Sequence, residues 1–129
     1  MLTLKTERLI LREWNEADRE PFARINADPS VMEYLGETMS REQSDEVADQ
    51  IAQHFRSHGF GLCAAELAES GEFIGFVGLA VPAFEAAFTP CVEIGWRLAA
   101  EYWGAGLATE GAREIVRYAF EELGLAELV

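Results

Sequence analysis

The stretch "EYWGAGLATEG", residues 101–111, places two glycines directly before a helical pattern. The first turn of a helix exposes backbone N–H groups that have no partner within the helix, and it carries the positive end of the helix dipole. Glycines allow a ligand to come close to that backbone. The stretch therefore predicts an anion-binding turn, and the flanking sequence indicates which anion it binds.

A strand and a helix flank this glycine turn. The run "CVEIGWRLAA", residues 91–100, is typical of a strand, and "LAELV", residues 125–129, starts another one. A right-handed crossover through the helix between them would make these two strands parallel. The helix is "GLATEGAREIVRYAFEELG", residues 106–124, and its expected inward positions are Ala108, Ala112, Ile115, Ala119, Phe120 and Leu123.

The upstream sequence predicts a first strand, two helices and a hairpin. Residues 2–14 form the strand, and residues 15–29 form a short helix capped by Asn15. A longer helix begins at Ser40, which pairs with Gln43 in a capping box, and ends at Gly59. The buried face of this helix carries Val47, Ile51 and Phe55.

The hairpin joins "FGLCAAEL", residues 60–67, to "EFIGFVGLAVP", residues 72–82, and a loop runs from Pro82 to Pro90. Together the patterns predict an α+β (α/β) fold with a mixed, mostly antiparallel central sheet and flanking helices. Neither a repeat nor a linker interrupts the pattern, so we expect a single domain over residues 1–129.

The composition narrows the class of protein. Ten Lys and Arg face 23 Asp and Glu in 129 residues, which gives a net charge of −13. Nucleic acid is therefore excluded as an expected partner, since phosphate binding needs a basic surface, whereas a cationic amine would be attracted. The chain shows neither a signal peptide nor an apolar run long enough to span a membrane. Two cysteines, Cys63 and Cys91, form no disulfide framework and favour a reduced cytoplasm.

Two common phosphate-binding patterns fail at the glycine turn. The P-loop requires Lys followed by Ser or Thr after its last glycine, and the turn contains no Lys. The dinucleotide fingerprint requires a third glycine, but Thr109 stands after Gly104 and Gly106. A nucleotide-binding α/β domain is thus a weak alternative.

A third pattern fits. The run "WGAGLA", residues 103–108, resembles the Q/R-x-x-G-x-G/A loop that binds the acetyl-CoA diphosphate in GNAT acetyltransferases, with Trp103 where Gln or Arg is commoner. The strings "EIGWRLAAEYWGAGLATEGA" (93–112), "LKTERLILREW" (4–14) and "GEFIGFVGL" (71–79) are similar to the RimJ/RimL-type branch of that superfamily. Gly111 departs from the branch, which usually has Ala there. Without the other motifs, the glycines could also be read as a turn that only starts a helix.

The resemblance implies that acetyl-CoA is the co-substrate. Its diphosphate would accept hydrogen bonds from the turn, and its pantetheine arm would run along the preceding strand, where Gly95 would allow a bulge. The cofactor-binding residues implied in this way are Trp96, Arg97, Leu98, Trp103, Gly104, Ala105, Gly106, Leu107, Ala108 and Thr109.

The family reaction is direct attack of an amine on the acetyl thioester, which requires a base and a backbone N–H for the developing negative charge. We take Glu93 as the candidate base, although strict strand alternation could turn it away from the thioester. Glu13 and Glu33 are alternative residues for the amine site. His54 and His58 have the spacing of metal ligands but lack a third ligand, so we expect a surface pair and no metal.

Family members usually continue past "LAELV" with another helix and two strands, which carry an Asn near the cofactor and a Tyr that protonates the thiolate. The resemblance therefore indicates a C-terminally truncated domain. We expect an open edge at the last strand, self-association into a homo-oligomer, and cofactor binding with weak turnover.

The sequence thus predicts an acetyl-CoA-dependent N-acetyltransferase. Its acceptor would be a small-molecule or peptide amine, including a protein N-terminus. The alternative is a non-catalytic acyl-CoA-binding or structural remnant of the same fold.

Overall fold

The computed structural model describes residues 2–81 and 92–128. Its centre is a five-stranded sheet in the order β1-β2-β3-β4-β5, with every neighbouring pair antiparallel. The strands are β1 Thr3–Lys5, β2 Leu9–Arg12, β3 Leu62–Leu67, β4 Phe73–Ala80 and β5 Glu93–Leu98. The helices are α1 Arg19–Asn26, α2 Pro29–Met32, α3 Arg41–His58 and α4 Leu107–Arg117.

The α+β fold is confirmed, but the described strands differ from the prediction at both ends of the chain. The single strand expected over residues 2–14 is a hairpin, because the chain reverses at residues 6–8 and Lys5 pairs with Ile10. The strand expected over 125–129 was wrong for residues 125–128, which carry no strand. The parallel pair and the crossover are therefore absent from the described part of the sheet. The expected loop from Pro82 to Pro90 lies outside the described residues.

Helices α1 and α3 cover one face of the sheet. The prediction for α3 is confirmed at both ends: Ser40 and Gln43 form the capping box, and Gly59 ends the helix with φ of 77°. Asn15 occupies the N-cap position of the short 3-10 turn that leads into α1, where its N–H donates to the Asp18 carboxylate over 2.8 Å. The core on this face consists of Phe22, Ile25, Val31, Met32, Ala48, Ile51, Ala64, Phe73 and Phe76.

Helix α4 covers the opposite face and continues as a π-helical turn over Tyr118–Glu122. A Cβ on Gly111 would lie 3.2 and 3.3 Å from the two methyl groups of Val77, so the missing side chain lets α4 lie close to β4. Ile115 and Ala119 face inward as predicted, whereas Phe120 is 42% exposed and the prediction for it was wrong. The extra residue per turn of the π-helical segment rotates the positions beyond Arg117 relative to a regular helix.

The pairing of β4 with β5 is continuous from Gly75–Leu98 to Ala80–Glu93. The bulge expected at Gly95 is therefore absent. The register shift in the sheet lies instead between Ala65 and Glu66 of β3, opposite the start of β4. Gly78, which pairs with Gly95, has a different role: a Cβ there would lie 2.7 Å from the Cα of Leu62.

His54 joins the end of α3 to the ends of two strands. Its Nδ1 lies 2.9 Å from the carbonyl oxygen of Phe60, and the Val81 N–H donates to its Nε2 over 2.9 Å. These partners fit only the neutral ring with the proton on Nδ1. Burial lowers the pKa of His54, the Phe60 carbonyl raises it, and His58 lowers it. The net pKa lies below the ordinary value of 6.5.

We expect Gly78→Ala to lower the free energy of unfolding by about 3 kcal/mol, because the new methyl group would overlap the backbone of β3. Gly95→Ala is the matched control on the paired strand, since a Cβ there would meet its nearest atom, in Leu62, at 3.8 Å. Urea unfolding of both variants measures the difference. Equal stability of the two variants would contradict the close approach of β3 and β4.

We expect the free energy of unfolding to fall as the pH drops below about 6.5, because the unfolded chain then protonates His54 before the folded protein does. The contribution of His54 is complete above that pH and is lost as the pH falls towards the lower, folded-state pKa. Urea unfolding between pH 7.5 and 5 should show a smaller dependence in His54→Gln than in the wild type. His58→Gln should keep most of the wild-type dependence, because burial lowers the pKa of His54 more than His58 does. If both variants behave alike, His54 is not the titrating group.

Candidate active site

Two glycines in the left-handed region form the turn before α4. Gly104 has φ of 78° and Gly106 has φ of 80°, and α4 begins at the next residue, Leu107. This conformation is open to glycine and costly for other residues, which explains why both positions of the turn hold glycine. A 3-10 helix over Ala100–Tyr102 connects the turn to β5.

The backbone donors of the turn are largely available. Within residues 2–81 and 92–128 the N–H groups of Gly104, Ala105 and Gly106 make no hydrogen bond, and those of the first turn of α4 have no partner within the helix. The N–H of Trp103 is different, because it donates to the carbonyl of Ala100 over 3.1 Å. The donor set therefore begins one residue later than the sequence suggested.

Trp103 fastens the start of the turn. Its indole N–H donates to the carbonyl oxygen of Leu98 over 2.9 Å, although the ring remains 52% exposed. The side chain at this position thus closes the turn onto the end of β5.

A cavity of about 490 Å³ lies between β5 and the start of α4. Its lining contains most of the residues that the resemblance assigned to the cofactor, and Tyr102 in addition. The lining residues are Trp96, Leu98, Tyr102, Trp103, Gly104, Gly106, Leu107, Ala108 and Thr109.

The backbone of β5 faces the same region. The Ala99 N–H donates to the carbonyl of Ile74 on β4 over 2.9 Å. Because the backbone of an antiparallel strand alternates, the N–H and C=O groups of Ile94, Trp96 and Leu98 point away from β4. Among the described strands β5 has a neighbour on one side only, so this edge offers main-chain groups to a ligand.

Arg97 lies on the other face of the sheet. Its guanidinium donates to the side chain of Asn26 over 2.8 Å, and Asn26 in turn donates to Ser44 over 2.9 Å. The guanidinium carbon is 5.3 Å from the ring centre of Phe76, and burial lowers the pKa of Arg97. The Arg97 side chain thus connects β5 to α1 and α3, on the face opposite the cavity.

Glu93 is exposed at the first position of β5, paired in register with Ala80. Strand alternation puts it on the same side of the sheet as Arg97. Of the alternative carboxylates, Glu13 accepts a hydrogen bond from the N–H of Leu2 over 3.0 Å, and Glu33 is exposed at the end of α2. Cys63 is fully buried, and burial is the main cause that raises the pKa of its thiol to about 12.

The residues that the sequence analysis missed come from the N-terminal hairpin. Arg8 donates through Nε to Oε1 of Glu110 over 2.7 Å, and through Nη1 to the carbonyl of Ala105 over 2.9 Å. The Arg8 N–H and the Thr6 hydroxyl donate to the other oxygen of Glu110. Burial raises the pKa of Glu110, but these donors outweigh burial and lower it overall.

A second cavity, of about 600 Å³, lies on the hairpin side of the turn and shares Gly106 and Thr109 with the first one. Its walls carry three arginines, Arg8, Arg113 and Arg117, and three glutamates, Glu7, Glu110 and Glu114. The two cavities together place the glycine turn between a cleft without charged side chains and one in which arginines and glutamates balance. Because Arg8 is paired with Glu110 and Arg117 with Glu114, an anion bound at the turn would depend mainly on the main-chain N–H groups.

Comparison with known proteins identifies the family to which this chain belongs. A sequence model of the acetyltransferase (GNAT) domain matches residues 8–129. The FsC-acetyl coenzyme A-N(2)-transacetylase of Aspergillus fumigatus is 40% identical over 134 residues, covering 98% of this chain. The chain spans 56%, about half, of the length of that relative.

Solved structures share the fold. The acetyltransferase of Agrobacterium tumefaciens strain C58 matches with a TM-score of 0.83 and 30% identity, over 99% of this chain and 72% of its own. The spermidine N-acetyltransferase of Vibrio cholerae, solved with CoA and spermine, matches with a TM-score of 0.72 over 95% of this chain and 70% of its own. At 22% identity, this second likeness is one of fold.

Proposed function

The chain belongs to the GNAT acetyltransferases, and on that premise we propose that it transfers the acetyl group of acetyl-CoA to an amine. The observation that carries the proposal is the pair of left-handed glycines at the start of α4, directly beside the edge of β5 that pairs with no other described strand. One feature binds a diphosphate through main-chain donors, and the other can hold an extended amide-bearing arm.

The described residues fit acetyl-CoA. Open space surrounds Gly104, where a Cβ would meet no atom within 4 Å. The N–H groups from Gly104 to Thr109 would hold the diphosphate. The outward N–H and C=O of Trp96 and the outward N–H of Leu98, whose carbonyl accepts from Trp103, would hold the pantetheine amides. Leu107 and Ala108 keep their proposed place in the first turn of α4. The thioester of the bound molecule is the acetyl donor.

Arg97 has a smaller role in this proposal than the cofactor contact that the resemblance implied. Its side chain is engaged by Asn26, and its backbone is turned towards β4, so its contribution is to hold β5 in place. Trp103 likewise shapes the turn through Leu98, and it presents its exposed ring to the cleft.

The acceptor is proposed to be an amine of a small molecule or of a peptide N-terminus. The name of the Aspergillus relative specifies transfer to a nitrogen, N(2), which supports an amine acceptor. The charge of −13 favours a cationic amine over an anionic one. The sequence motifs support the RimJ/RimL-type branch and one domain over residues 1–129.

The remaining parts of the proposal concern assembly and compartment. We place the protein in the cytoplasm as a homo-oligomer. Val116 and Phe120 are exposed apolar side chains outside the cleft that support association. Among the described residues, no helix is both long enough and apolar enough to cross a membrane.

Glu93 is the proposed general base. An attacking amine must be neutral, so a carboxylate near the start of β5 would take a proton from it, directly or through water. The outward N–H groups of β5 would stabilise the negative charge that develops on the thioester oxygen. This arrangement has the acceptor approach from the face of the sheet that carries α1 and α3.

We expect Gly106→Glu to weaken acetyl-CoA binding by about a hundredfold or more, because the residue would be strained at this φ and its Cβ would lie 3.5 Å from Nη2 of Arg8, where the new carboxylate would compete for the side chain that holds the turn. Isothermal titration calorimetry measures the loss. The matched control is Gly124→Glu, which adds the same charge at a left-handed glycine, φ of 70°, beyond the far end of the helix. Equal binding by both variants would show that the cofactor lies elsewhere.

We expect Glu93→Gln to lower kcat for amine acetylation by about a hundredfold or more, with an unchanged KM for acetyl-CoA, because the variant loses the base but not the cofactor site. CoA release with a panel of amines gives the rates. Glu46→Gln on the exposed side of α3 is the control. A wild-type kcat in Glu93→Gln would move the base to Glu13 or Glu33.

A further inference from the structure

We propose that Arg8 is a positioning residue for the diphosphate of acetyl-CoA: it fixes the glycine turn so that the backbone N–H groups face the ligand. This role rests on the proposed function. It concerns a residue almost a hundred positions before the turn, on a different element of the fold.

The backbone of Arg8 is firmly held. Its carbonyl accepts a hydrogen bond from the N–H of Ala68 over 2.9 Å. The next residue, Leu9, is fully buried and pairs with Leu67 of β3. The Thr6 hydroxyl also accepts from the N–H of Leu9 over 3.0 Å. Arg8 therefore extends from a rigid hairpin and not from a mobile terminus.

The side chain of Arg8 joins this hairpin to two parts of the turn. Nη1 donates to the carbonyl of Ala105 over 2.9 Å, and Nε donates to Glu110 over 2.7 Å. Arginine can make both contacts at once because its donors are arranged in a rigid fork. The second contact engages the carboxylate of Glu110 in the first turn of α4, where an unpaired negative charge would repel a phosphate.

The contact with Ala105 sets the direction of a donor. The carbonyl of Ala105 and the N–H of Gly106 belong to one trans peptide unit and point in opposite directions. Because Arg8 holds the carbonyl on the hairpin side, the N–H of Gly106 points away from Arg8. The guanidinium itself lies over Gly106, with Nη2 3.5 Å from the position that a Cβ would take.

The role complements that of Trp103. In the family loop this position commonly holds Gln or Arg, but the Trp103 side chain donates to Leu98 and fastens the start of the turn. Arg8 fastens its middle from the other side. The turn is therefore held by two side chains, and the cationic one comes from outside the glycine motif.

Calorimetry of the full chain with acetyl-CoA tests the proposal. Arg8→Ala should weaken binding by about ten- to hundredfold, because the ligand would then have to order the turn itself and would face the unpaired carboxylate of Glu110. Arg8→Lys should recover part of this loss, because lysine keeps the charge but cannot reach Ala105 and Glu110 as a fork. The control is Arg41→Ala, which removes an equal charge from an exposed pair with Asp45 on α3 and should bind as the wild type does.

A second ligand separates positioning from damage to the fold. S-acetylpantetheine has the thioester and the arm but no diphosphate, and its weak binding can be followed by NMR at millimolar concentration. Arg8→Ala should bind it as well as the wild type does. An equal loss for both ligands, or acetyl-CoA binding like that of Arg41→Ala, overturns the role of Arg8. Failure of the wild type to bind acetyl-CoA would instead overturn the proposed function.

Discussion

The structure depends on strand β4, which is buried on both faces over nearly its whole length. Helices α1 and α3 pack on one side of it, α4 packs on the other, and its edges pair with β3 and β5. Because β4 touches every layer, its position fixes where β5 ends and where α4 begins. The glycine turn connects these two points, so its geometry follows from the packing of the central strand.

Local features of the sequence were predicted well. The capping box of Ser40 and Gln43, the stop at Gly59 and the glycine turn depend on residues within one turn of each other, and such short-range patterns can be read directly. The hairpin of β3 and β4 was found for the same reason. The failures have other causes: the reversal at residues 6–8 has no glycine or proline to mark it, and the π-helical turn moves Phe120 out of the core.

Long-range contacts could not be predicted from one sequence. Arg8 and Glu110 are separated by 102 positions, and nothing local to either residue indicates the pair. The same holds for Arg97 and Asn26, which meet only because the Arg97 side chain extends from β5 on the face of the sheet that α1 covers. The sequence located the turn and its donors, whereas the charged groups that hold it became visible only in three dimensions.

The contact between Gly111 and Val77 makes the two positions share one volume. A methyl group added to the helix must be matched by one removed from the strand, or the helix axis has to shift outward. Such a shift would carry the turn with it, since Gly106 lies only five residues before Gly111. Changes in side-chain size deep in the interior, far from any reacting atom, would therefore change the direction in which the ligand-binding N–H groups point.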